Sequence, residues 1–223
     1  MVERTRPQDA EWAAVDGYVG ERVVRPDDLF ADTLARNAAA WLPDIDVSPA
    51  QGKMLHLFAR MAGATRILEI GTLGGYSTIW LAQAAGEGGQ VVSLELDPHH
   101  AEVARANIAA ANLAARVEVL TGPALESLAM LGGPFDFVFI DADKQNNSAY
   151  LREALRLSRS GTTIVVDNVV REGGILDADS ADERIRGTRA LFDAVAAEPR
   201  LSATVVQTVG VKKWDGFLIA VVD

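Results

Sequence analysis

Short apolar runs alternate with longer segments of helical spacing along most of the chain. Five of the runs are continuously apolar rather than alternating, which is typical of parallel strands buried on both faces of a sheet. They lie at Arg66–Ile70, Val91–Leu96, Val117–Leu120, Phe135–Ile140 and Thr162–Val166. Ala-rich segments separate them. This alternation predicts an α/β sheet with helices on both faces.

The C-terminal part of the chain breaks the alternation. Two further runs, Leu201–Val206 and Phe217–Val222, have no helical segment between them. The link contains Gly210 and Gly216, which favour a turn. We therefore expect an antiparallel hairpin at this end of the sheet.

The region before the first strand has helical spacing. An apolar stripe is formed by Leu29, Phe30, Leu34 and Trp41. Ser48, Pro49 and Gln51 have the form of a helix start, in which Ser48 and Gln51 cap each other. Asp97-Pro98 predicts a second helix start. We expect one domain over residues 1–223, with a helical extension at 1–47 and the core at 48–223.

The composition narrows the classes of partner. The 223 residues carry a formal net charge of −10 and include no cysteine. Nucleic-acid binders usually show a basic stripe, which this acidic chain lacks, so we expect neither nucleic acid nor membrane as a partner. The charged segment 1–10 has no apolar run of a secretory signal. A cytoplasmic location is the expectation that fits these features.

A glycine-rich turn follows the first strand. It reads Gly71-Thr72-Leu73-Gly74-Gly75 and opens a helix. Glycines let a backbone turn tightly and approach a ligand closely, and the following helix N-terminus favours an anionic group. The spacing differs from the dinucleotide fingerprint G-x-G-x-x-G. The turn alone predicts a ligand site no better than an ordinary strand–helix connection.

Two carboxylates near the turn favour a ligand site over an ordinary strand–helix connection. Glu69 stands at the end of the first strand, where it would repel a pyrophosphate but suit an ammonium. Glu95 ends the second strand, roughly 20 residues beyond the turn, where an acidic residue binds a ribose diol in nucleotide-binding sheets. S-Adenosylmethionine carries an ammonium, a carboxylate and a ribose, and it fits all three features. The alternative is that both acids are solvated strand ends.

Polar side chains also follow the fourth and fifth strands. Asp141, Asp143 and Lys144 come after the fourth strand, and Asp167 and Asn168 after the fifth. The carboxyl ends of neighbouring parallel strands meet at one edge, so Asp141, Asp167 and Asn168 are expected to converge. Their oxygen atoms suit Mg²⁺ best, with Ca²⁺ or Mn²⁺ as alternatives. For Asp141 or Asp167 alone, an ordinary helix N-cap after a strand would be the favoured interpretation.

The remaining histidines and tryptophans carry weaker signals. No histidine has a metal partner at helical spacing, so we interpret all three as surface or packing residues. Trp80 is predicted to be in the core, whereas Trp41 and Trp214 are candidate walls of a substrate pocket.

Together these residues resemble a known family, the cation-dependent class I O-methyltransferases. Members of that family include catechol O-methyltransferase and caffeoyl-coenzyme A O-methyltransferase. The similarity runs from Ser48 to the C-terminus and is most specific at residues 69–77, at residues 135–144 and at Asp167-Asn168. It implies a Rossmann-like methyltransferase fold, with a seven-stranded, mostly parallel sheet and a C-terminal antiparallel hairpin. It also implies a homodimer.

The resemblance assigns roles to individual residues. The cofactor contacts it implies are Glu69, Gly71, Thr72, Ser77, Glu95, Ala124, Asp141, Asp143 and Tyr150. The metal ligands it implies are Asp141, Asp167 and Asn168, and Lys144 with Asp141 would form the catalytic centre. Three positions depart from the family pattern, namely Pro123, Asn147 and Glu172, and they affect the acceptor pocket more than the cofactor site.

The predicted function is methyl transfer from S-adenosylmethionine to a small phenolic acceptor with vicinal hydroxyls, such as a catechol. A phenol is a poor nucleophile at neutral pH because its pKa lies near 10, by analogy with tyrosine. A divalent cation would favour the ionised hydroxyl, and Lys144 would take the proton. Two alternatives stay open at this point: an NAD-dependent oxidoreductase on a similar sheet, and a non-catalytic cofactor-binding protein of the same fold.

Overall fold

A seven-stranded sheet lies at the centre of the molecule. The computed structural model describes residues 8–223. Most of segment 1–10, for which we expected no secretory signal, lies outside the described residues. The strands are β1 (Arg66–Ile70), β2 (Gln90–Glu95), β3 (Val117–Thr121), β4 (Phe135–Ile140), β5 (Ser158–Asp167), β6 (Leu201–Gly210) and β7 (Lys213–Val222). Their order in the sheet is β3-β2-β1-β4-β5-β7-β6.

Strands β1 to β5 are parallel, and β7 lies antiparallel between β5 and β6. This arrangement confirms the predicted Rossmann-like sheet with its C-terminal hairpin. Strand order reverses between β1 and β4, because β1 leads to β2 on one side and β4 leads to β5 on the other. The carboxyl edge at such a switch point is where open α/β sheets bind ligands.

Eight α-helices surround the sheet in the described part of the chain. They are α1 (Asp9–Val19), α2 (Asp28–Ala39), α3 (Pro49–Met61), α4 (Tyr76–Ala85), α5 (Pro98–Ala110), α6 (Ala124–Met130), α7 (Asn147–Arg156) and α8 (Glu183–Ala197). A π-helical turn (Gly20–Val24) follows α1, and short 3₁₀ segments span Lys144–Asn146 and Arg171–Leu176. None of the helices described at residues 8–223 is long and apolar enough to cross a membrane.

Local signals in the sequence explain where two helices begin. The Ser48 hydroxyl accepts a hydrogen bond from the Gln51 N–H, and the Gln51 side chain accepts one from the Ser48 N–H. Pro49 occupies the first helical position, where a missing N–H costs nothing. The Asp97 side chain likewise accepts from the His99 N–H at the start of α5. Both predicted starts are therefore confirmed.

The central strands β1 and β4 bury both faces under helices. Successive residues of β1, such as Ile67 and Leu68, point to opposite faces and belong to separate hydrophobic clusters on the two sides of the sheet. Helices α2 to α5 cover one side and helices α6 to α8 cover the other. The predicted continuously apolar strands result from this double burial.

Close packing of α3 on α4 depends on a glycine. A Cβ atom at Gly52 would lie 2.3 Å from the Trp80 Nε1 atom. The Trp80 ring is buried and stacks on Phe30 of α2, with ring centroids 3.8 Å apart. Trp80 is thus a core residue, as predicted, and it joins three helices.

Two details differ from the sequence-based expectations. The hairpin link is shorter than expected, because β6 and β7 continue to a two-residue turn at Val211-Lys212. The segments between the two apolar runs pair with each other as strand rather than forming a loop. Trp41 lies beyond the end of α2, with φ +60° and 93 % of its surface exposed. It therefore does not belong to the buried stripe of that helix.

Candidate active site

A cavity of about 860 Å³ opens at the carboxyl edge of the sheet where the strand order reverses. Most of the residues predicted for the site line it: Gly71, Thr72, Ser77, Glu95, Ala124, Asp141, Asp143, Lys144, Tyr150 and Asn168. Glu69 and Asp167 are not on the wall of this cavity. The site is therefore assembled largely as expected, with two carboxylates placed one layer further in.

The glycines of the turn after β1 are required by neighbouring protein atoms. Gly71 has φ +99°, and a Cβ atom there would lie 2.1 Å from the carbonyl oxygen of Asp141. A Cβ atom at Gly74 would lie 2.0 Å from the side-chain oxygen of Asn37. The turn thus packs against the β4 loop and against α2. Close approach to a ligand, the reason inferred from the sequence, is not what these contacts show.

Glu95 is fixed on the cavity wall by backbone donors. Its carboxylate accepts hydrogen bonds from the N–H groups of Thr72 at 3.1 Å, Leu73 at 2.7 Å and Asp97 at 2.9 Å. The His100 ring lies 3.6 Å from the same carboxylate and also lines the cavity. His100 is therefore a wall residue that its sequence context did not reveal. The geometry leaves Glu95 buried, oriented and next to the cavity.

Glu69 has a different environment from the one predicted. Its carboxylate is fully buried and accepts hydrogen bonds from three hydroxyls, those of Ser77, Thr78 and Ser93. Burial raises the pKa of Glu69 to about 7, although the three hydroxyl donors work in the opposite direction. A direct contact between Glu69 and the cofactor stays a prediction. The Glu69 carboxylate fixes Ser77, which does line the cavity.

The N-terminus of α4 also faces this part of the site. The backbone N–H groups of Tyr76 and Ser77 have no acceptor among the described residues. Free N–H groups in the first turn of a helix, together with the helix dipole, favour an anion. This end of the cavity is suited to a ligand carboxylate.

Lys144 and Asp141 form a close ion pair at the end of β4. The Lys144 Nζ atom lies 2.6 Å from the Asp141 carboxylate, and only 8 % of the lysine side chain is exposed. Lys144 is therefore neither exposed nor paired with the neighbouring Asp143. Asp143 accepts hydrogen bonds from Tyr150 and Asn146 instead. Burial, and then the bond to Asp143, hold the pKa of Tyr150 above its usual value.

Asp167 and Asn168 stand beside this pair at the end of β5. Asp167 is buried, and its carboxylate accepts a hydrogen bond from the Asn168 N–H at 2.8 Å. Burial, and then the negative charge of Asp141, raise the pKa of Asp167 to about 7. Asn168 has φ +55°, a conformation that asparagine tolerates better than most residues, and it lines the cavity. Two acids and an amide thus meet around one lysine.

Asp141, Asp167 and Asn168 are the residues predicted to bind a metal. No cluster of three or more His, Cys, Asp or Glu side chains suited to a metal occurs within residues 8–223. The predicted set has only two carboxylates, and its third member is the Asn168 amide, so it does not form a cluster of that kind.

The sequence did not reveal several parts of the wall. Ile45, Asp46 and Val47 line the cavity, although the predicted boundary at residue 47 placed them in the N-terminal extension. Further wall residues are Leu73, Leu96, Leu125, Arg171 and Arg184. Trp41 and Trp214 do not line it, so neither is the pocket wall that was expected. Such residues join the site only through tertiary packing, which leaves no periodic signal in the sequence.

With this geometry in hand, the relationship to known proteins can be stated. A family model described as O-methyltransferase matches residues 25–220. The chain belongs to the O-methyltransferase family. A catechol O-methyltransferase of Mycobacterium tuberculosis is 54 % identical over 223 residues, covering 100 % of this chain and 99 % of that protein.

Solved structures of O-methyltransferases are also similar to this chain. An O-methyltransferase from Bacillus cereus in complex with SAH is 56 % identical, with a TM-score of 0.94 over 96 % of this chain and 99 % of that one. TomG from Streptomyces achromogenes, an O-methyltransferase involved in tomaymycin synthesis and solved in complex with SAM, is 42 % identical. Its TM-score is 0.94 over 97 % of this chain and 99 % of that one.

Family membership confirms two predictions, the methyltransferase fold and an enzyme that transfers a methyl group to oxygen. It does not favour an NAD-dependent oxidoreductase or a non-catalytic protein. The family match begins at residue 25, so it includes α2 and the wall segment around Asp46 as well as the predicted core.

Proposed function

We propose that the chain transfers the methyl group of S-adenosylmethionine to one hydroxyl of a catechol-like acceptor, with the help of a divalent cation. The observation that carries the proposal is the close Lys144–Asp141 pair on the wall of a cavity that also presents Asn168 and Glu95. Asp167 is buried behind this wall, close enough for the charges of the pair to affect its pKa. Relatives of high identity are named catechol O-methyltransferase or are bound to SAH or SAM, which supports the same interpretation.

The cofactor end has a complementary group for each polar part of S-adenosylmethionine. Glu95 is positioned to accept hydrogen bonds from the ribose hydroxyls. The free N–H groups at the start of α4, with the Ser77 hydroxyl beside them, suit the carboxylate. Asp141 and Asp143 supply negative charge for the ammonium and the sulfonium. Apolar residues around Ala124, including Leu96 and Leu125, would pack against the adenine.

The residues at the acceptor end fit a hard divalent cation. Asp141 and Asp167 are close enough for the charge of one to raise the pKa of the other, and Lys144 is the sole cation paired with them among the described residues. An additional positive charge would relieve this repulsion. Carboxylate and amide oxygens are also the ligands that Mg²⁺ prefers, with Ca²⁺ or Mn²⁺ as alternatives. Asp141, Asp167 and Asn168 would hold the ion.

When bound, the cofactor supplies the methyl group and the cation supplies charge that favours an ionised acceptor hydroxyl. The chain itself positions the reactants and handles the proton. In its neutral form, Lys144 would accept the proton of the attacking hydroxyl at its Nζ atom, and Asp141 would hold the resulting ammonium in place. Burial of the pair keeps water away from the reacting atoms. Much of the rate enhancement then comes from alignment of the two reactants.

A methyl-transfer assay tests the proposal directly. The enzyme is incubated with labelled S-adenosylmethionine and a set of catechols, before and after treatment with EDTA and again after addition of Mg²⁺. We expect transfer to a catechol, loss of transfer after chelation, and its recovery with Mg²⁺. Asp167→Ala should abolish turnover while changing cofactor affinity only a few-fold. Full activity in excess EDTA would remove the metal from the proposal, and no transfer to any diol would overturn the acceptor class.

Two further expectations concern the state of the protein. A homodimer stays a prediction, supported by exposed apolar side chains on α1 and on the edge strand β6, such as Tyr18 and Val209. Sedimentation at several protein concentrations measures it. The cytoplasmic location also stays a prediction.

A further inference from the structure

Arg171 lies on the acceptor side of the cavity, in a backbone segment of unusual conformation. Asn168, Arg171 and Glu172 all have φ near +55°, and Gly173 follows with φ +83°. Residues other than glycine seldom adopt this left-handed region, and runs of such residues concentrate at functional sites. Three residues of chain span at most about 10 Å, so Arg171 stays within the length of a small aromatic acid from Asn168.

Strand β7 holds this segment in place. The Asp215 carboxylate accepts hydrogen bonds from the N–H groups of Val170 and Arg171, both at 2.9 Å. The Trp214 ring packs against Gly173, where an added Cβ would lie 3.0 Å away. The Arg171 backbone is therefore fixed rather than free to choose a more relaxed conformation. Arg171 is held in this conformation at a position that lines the cavity.

Among residues 8–223, no side chain forms a hydrogen bond or a close ion pair with the Arg171 guanidinium. Two other cationic side chains on the wall are paired, Lys144 with Asp141 at 2.6 Å and Arg184 with Asp182 at 2.7 Å. Arg171 makes no side-chain hydrogen bond or ion pair with any described residue, and its Nε atom is buried without an acceptor.

The surroundings of Arg171 favour an anion over a neutral group. Asp182 is close enough to feel the Arg171 charge, which contributes to a lowered pKa of Asp182, but the main cause of that lowering is the bond to Arg184. Two guanidinium groups therefore share one carboxylate at this wall. Guanidinium groups bind carboxylates through paired N–H donors.

We infer that Arg171 is a specificity-determining residue that binds a carboxylate of the acceptor. The acceptor would then be an acidic catechol, with its two hydroxyls toward Asp141 and Asn168 and its carboxylate toward Arg171. This inference rests on the proposed function of the same cavity and adds to it the charge of the acceptor. Arg184, already paired with Asp182, contributes charge at longer range.

Two acceptors that differ only in charge test the inference. Steady-state methylation of 3,4-dihydroxybenzoate and of its neutral methyl ester is measured with the wild type, Arg171→Gln and Arg171→Lys, at saturating cofactor and Mg²⁺. The wild type should have the lower KM for the acid. Arg171→Gln should raise the KM for the acid about 10- to 100-fold, the effect of losing a charge-assisted hydrogen bond, and change the KM for the ester less than about 2-fold. Arg171→Lys should give an intermediate KM for the acid, because a lysine keeps the charge but not the paired donors.

A matched control and a fold check accompany these variants. Arg186 lies on the exposed side of α8, with 59 % of its side chain exposed, and Arg186→Gln removes the same charge away from the cavity. It should leave both KM values unchanged. The thermal unfolding midpoint and the affinity for SAH should be the same in Arg171→Gln and in the wild type, which shows that the fold is intact.

The possible outcomes distinguish a failure of this inference from a failure of the proposed function. If the wild type methylates both compounds and Arg171→Gln changes their KM values by the same factor, the inference is overturned and the proposed function stands. A wild-type preference for the ester would have the same meaning. If the wild type methylates neither compound nor any other diol, the proposed function fails, and the inference fails with it.

Discussion

At the scale of single residues, Glu69 shows how burial and hydrogen bonding compete. Three hydroxyls donate to its carboxylate and favour the ionised form. Burial disfavours that form more strongly, so the pKa of Glu69 rises from 4.5 to about 7. Because the pKa is higher in the folded than in the unfolded state, the group contributes stability at low pH. That contribution is lost as the pH rises through about 7.

Glu69→Gln should remove this pH dependence. Between pH 5 and pH 7.5, the free energy of unfolding of the wild type should fall relative to that of the variant by about 2–3 kcal/mol, or up to about 1.4 kcal/mol per pH unit. Urea unfolding of both proteins at several pH values in this range measures the difference. Parallel pH profiles would show that Glu69 keeps an ordinary pKa in its hydroxyl cage.

Lys144 gives a second prediction at this scale. If its Nζ atom accepts the proton of the acceptor, Lys144→Ala should lower kcat by roughly 10²–10⁴-fold with little change in cofactor affinity. A higher pH should partly restore kcat, because a phenol with a pKa near 10 then ionises without help. The measurement is kcat as a function of pH for wild type and variant.

Lys144→Arg separates proton transfer from charge. An arginine can still pair with Asp141, but it stays protonated in proteins and cannot act as a base. We expect Lys144→Arg to be nearly as slow as Lys144→Ala at pH 7. A variant with wild-type kcat at that pH would assign Lys144 to charge pairing alone.

At the scale of elements, one asparagine connects four parts of the chain. The Asn37 amide on α2 donates to the Asp46 carboxylate at 3.1 Å and accepts from Asn107 of α5 at 2.9 Å. Asn107 also donates to the carbonyl oxygen of Gly74 at 2.9 Å. This network fixes the wall segment at Asp46 against the glycine turn. Both parts line the cavity or adjoin it, so the network positions the site without touching a ligand.

The tight contact between Asn37 and Gly74 predicts strong coupling between them. Gly74→Ala should destabilise the fold by about 1–3 kcal/mol, because the added methyl group displaces the buried Asn37 amide. Asn37→Ala should cost a similar amount through lost hydrogen bonds. The double variant should be more stable than the sum of the single changes predicts, by at least about 1 kcal/mol.

Urea unfolding of the four proteins completes this double-mutant cycle. Gly88→Ala serves as the control, since nothing lies within 4 Å of a Cβ atom at Gly88. It should change stability little and should be additive with Asn37→Ala. Additive effects of Gly74→Ala and Asn37→Ala would contradict the contact on which the prediction rests.

The same elements show what a sequence can and cannot predict. Strands β1 to β4 and the starts of α3 and α5 follow from apolar runs and from capping residues such as Ser48 and Asp97, whose partners are only a few positions away. The wall segment at Asp46 depends on Asn37 and Gly74, which are distant in the chain. The hydroxyl partners of Glu69 were not predicted either, because they come from α4 and β2 and alternation along β1 directs Glu69 to the same face as Ile67. Local patterns reveal elements, whereas the contacts between elements decide which side chains reach the cavity.

At the scale of the whole molecule, the cavity collects residues from both halves of the sheet. Asp46, Thr72 and Glu95 come from the half with β1, β2 and the N-terminal helices, whereas Asp141, Tyr150 and Asn168 come from the half with β4 and β5. A ligand in this cavity binds across the line where strand order reverses. It can bind only when both halves are folded, so its binding free energy adds to the stability of the entire chain.

Titration with SAH should therefore shift global unfolding. At an SAH concentration of 100 times its Kd, the free energy of unfolding should rise by about 2.7 kcal/mol. For a chain of this length that corresponds to an increase in Tm of roughly 5–10 °C. NAD at the same concentration should leave Tm unchanged.

Glu95→Ala should weaken SAH binding by about 1–3 kcal/mol, so its titration curve should move to roughly 5- to 150-fold higher SAH concentrations. Thermal unfolding followed by circular dichroism measures both proteins. An identical titration curve for Glu95→Ala would mean that the fixed carboxylate does not contact the ribose, and that it serves only to hold the backbone of Thr72 and Leu73 in the turn beside it.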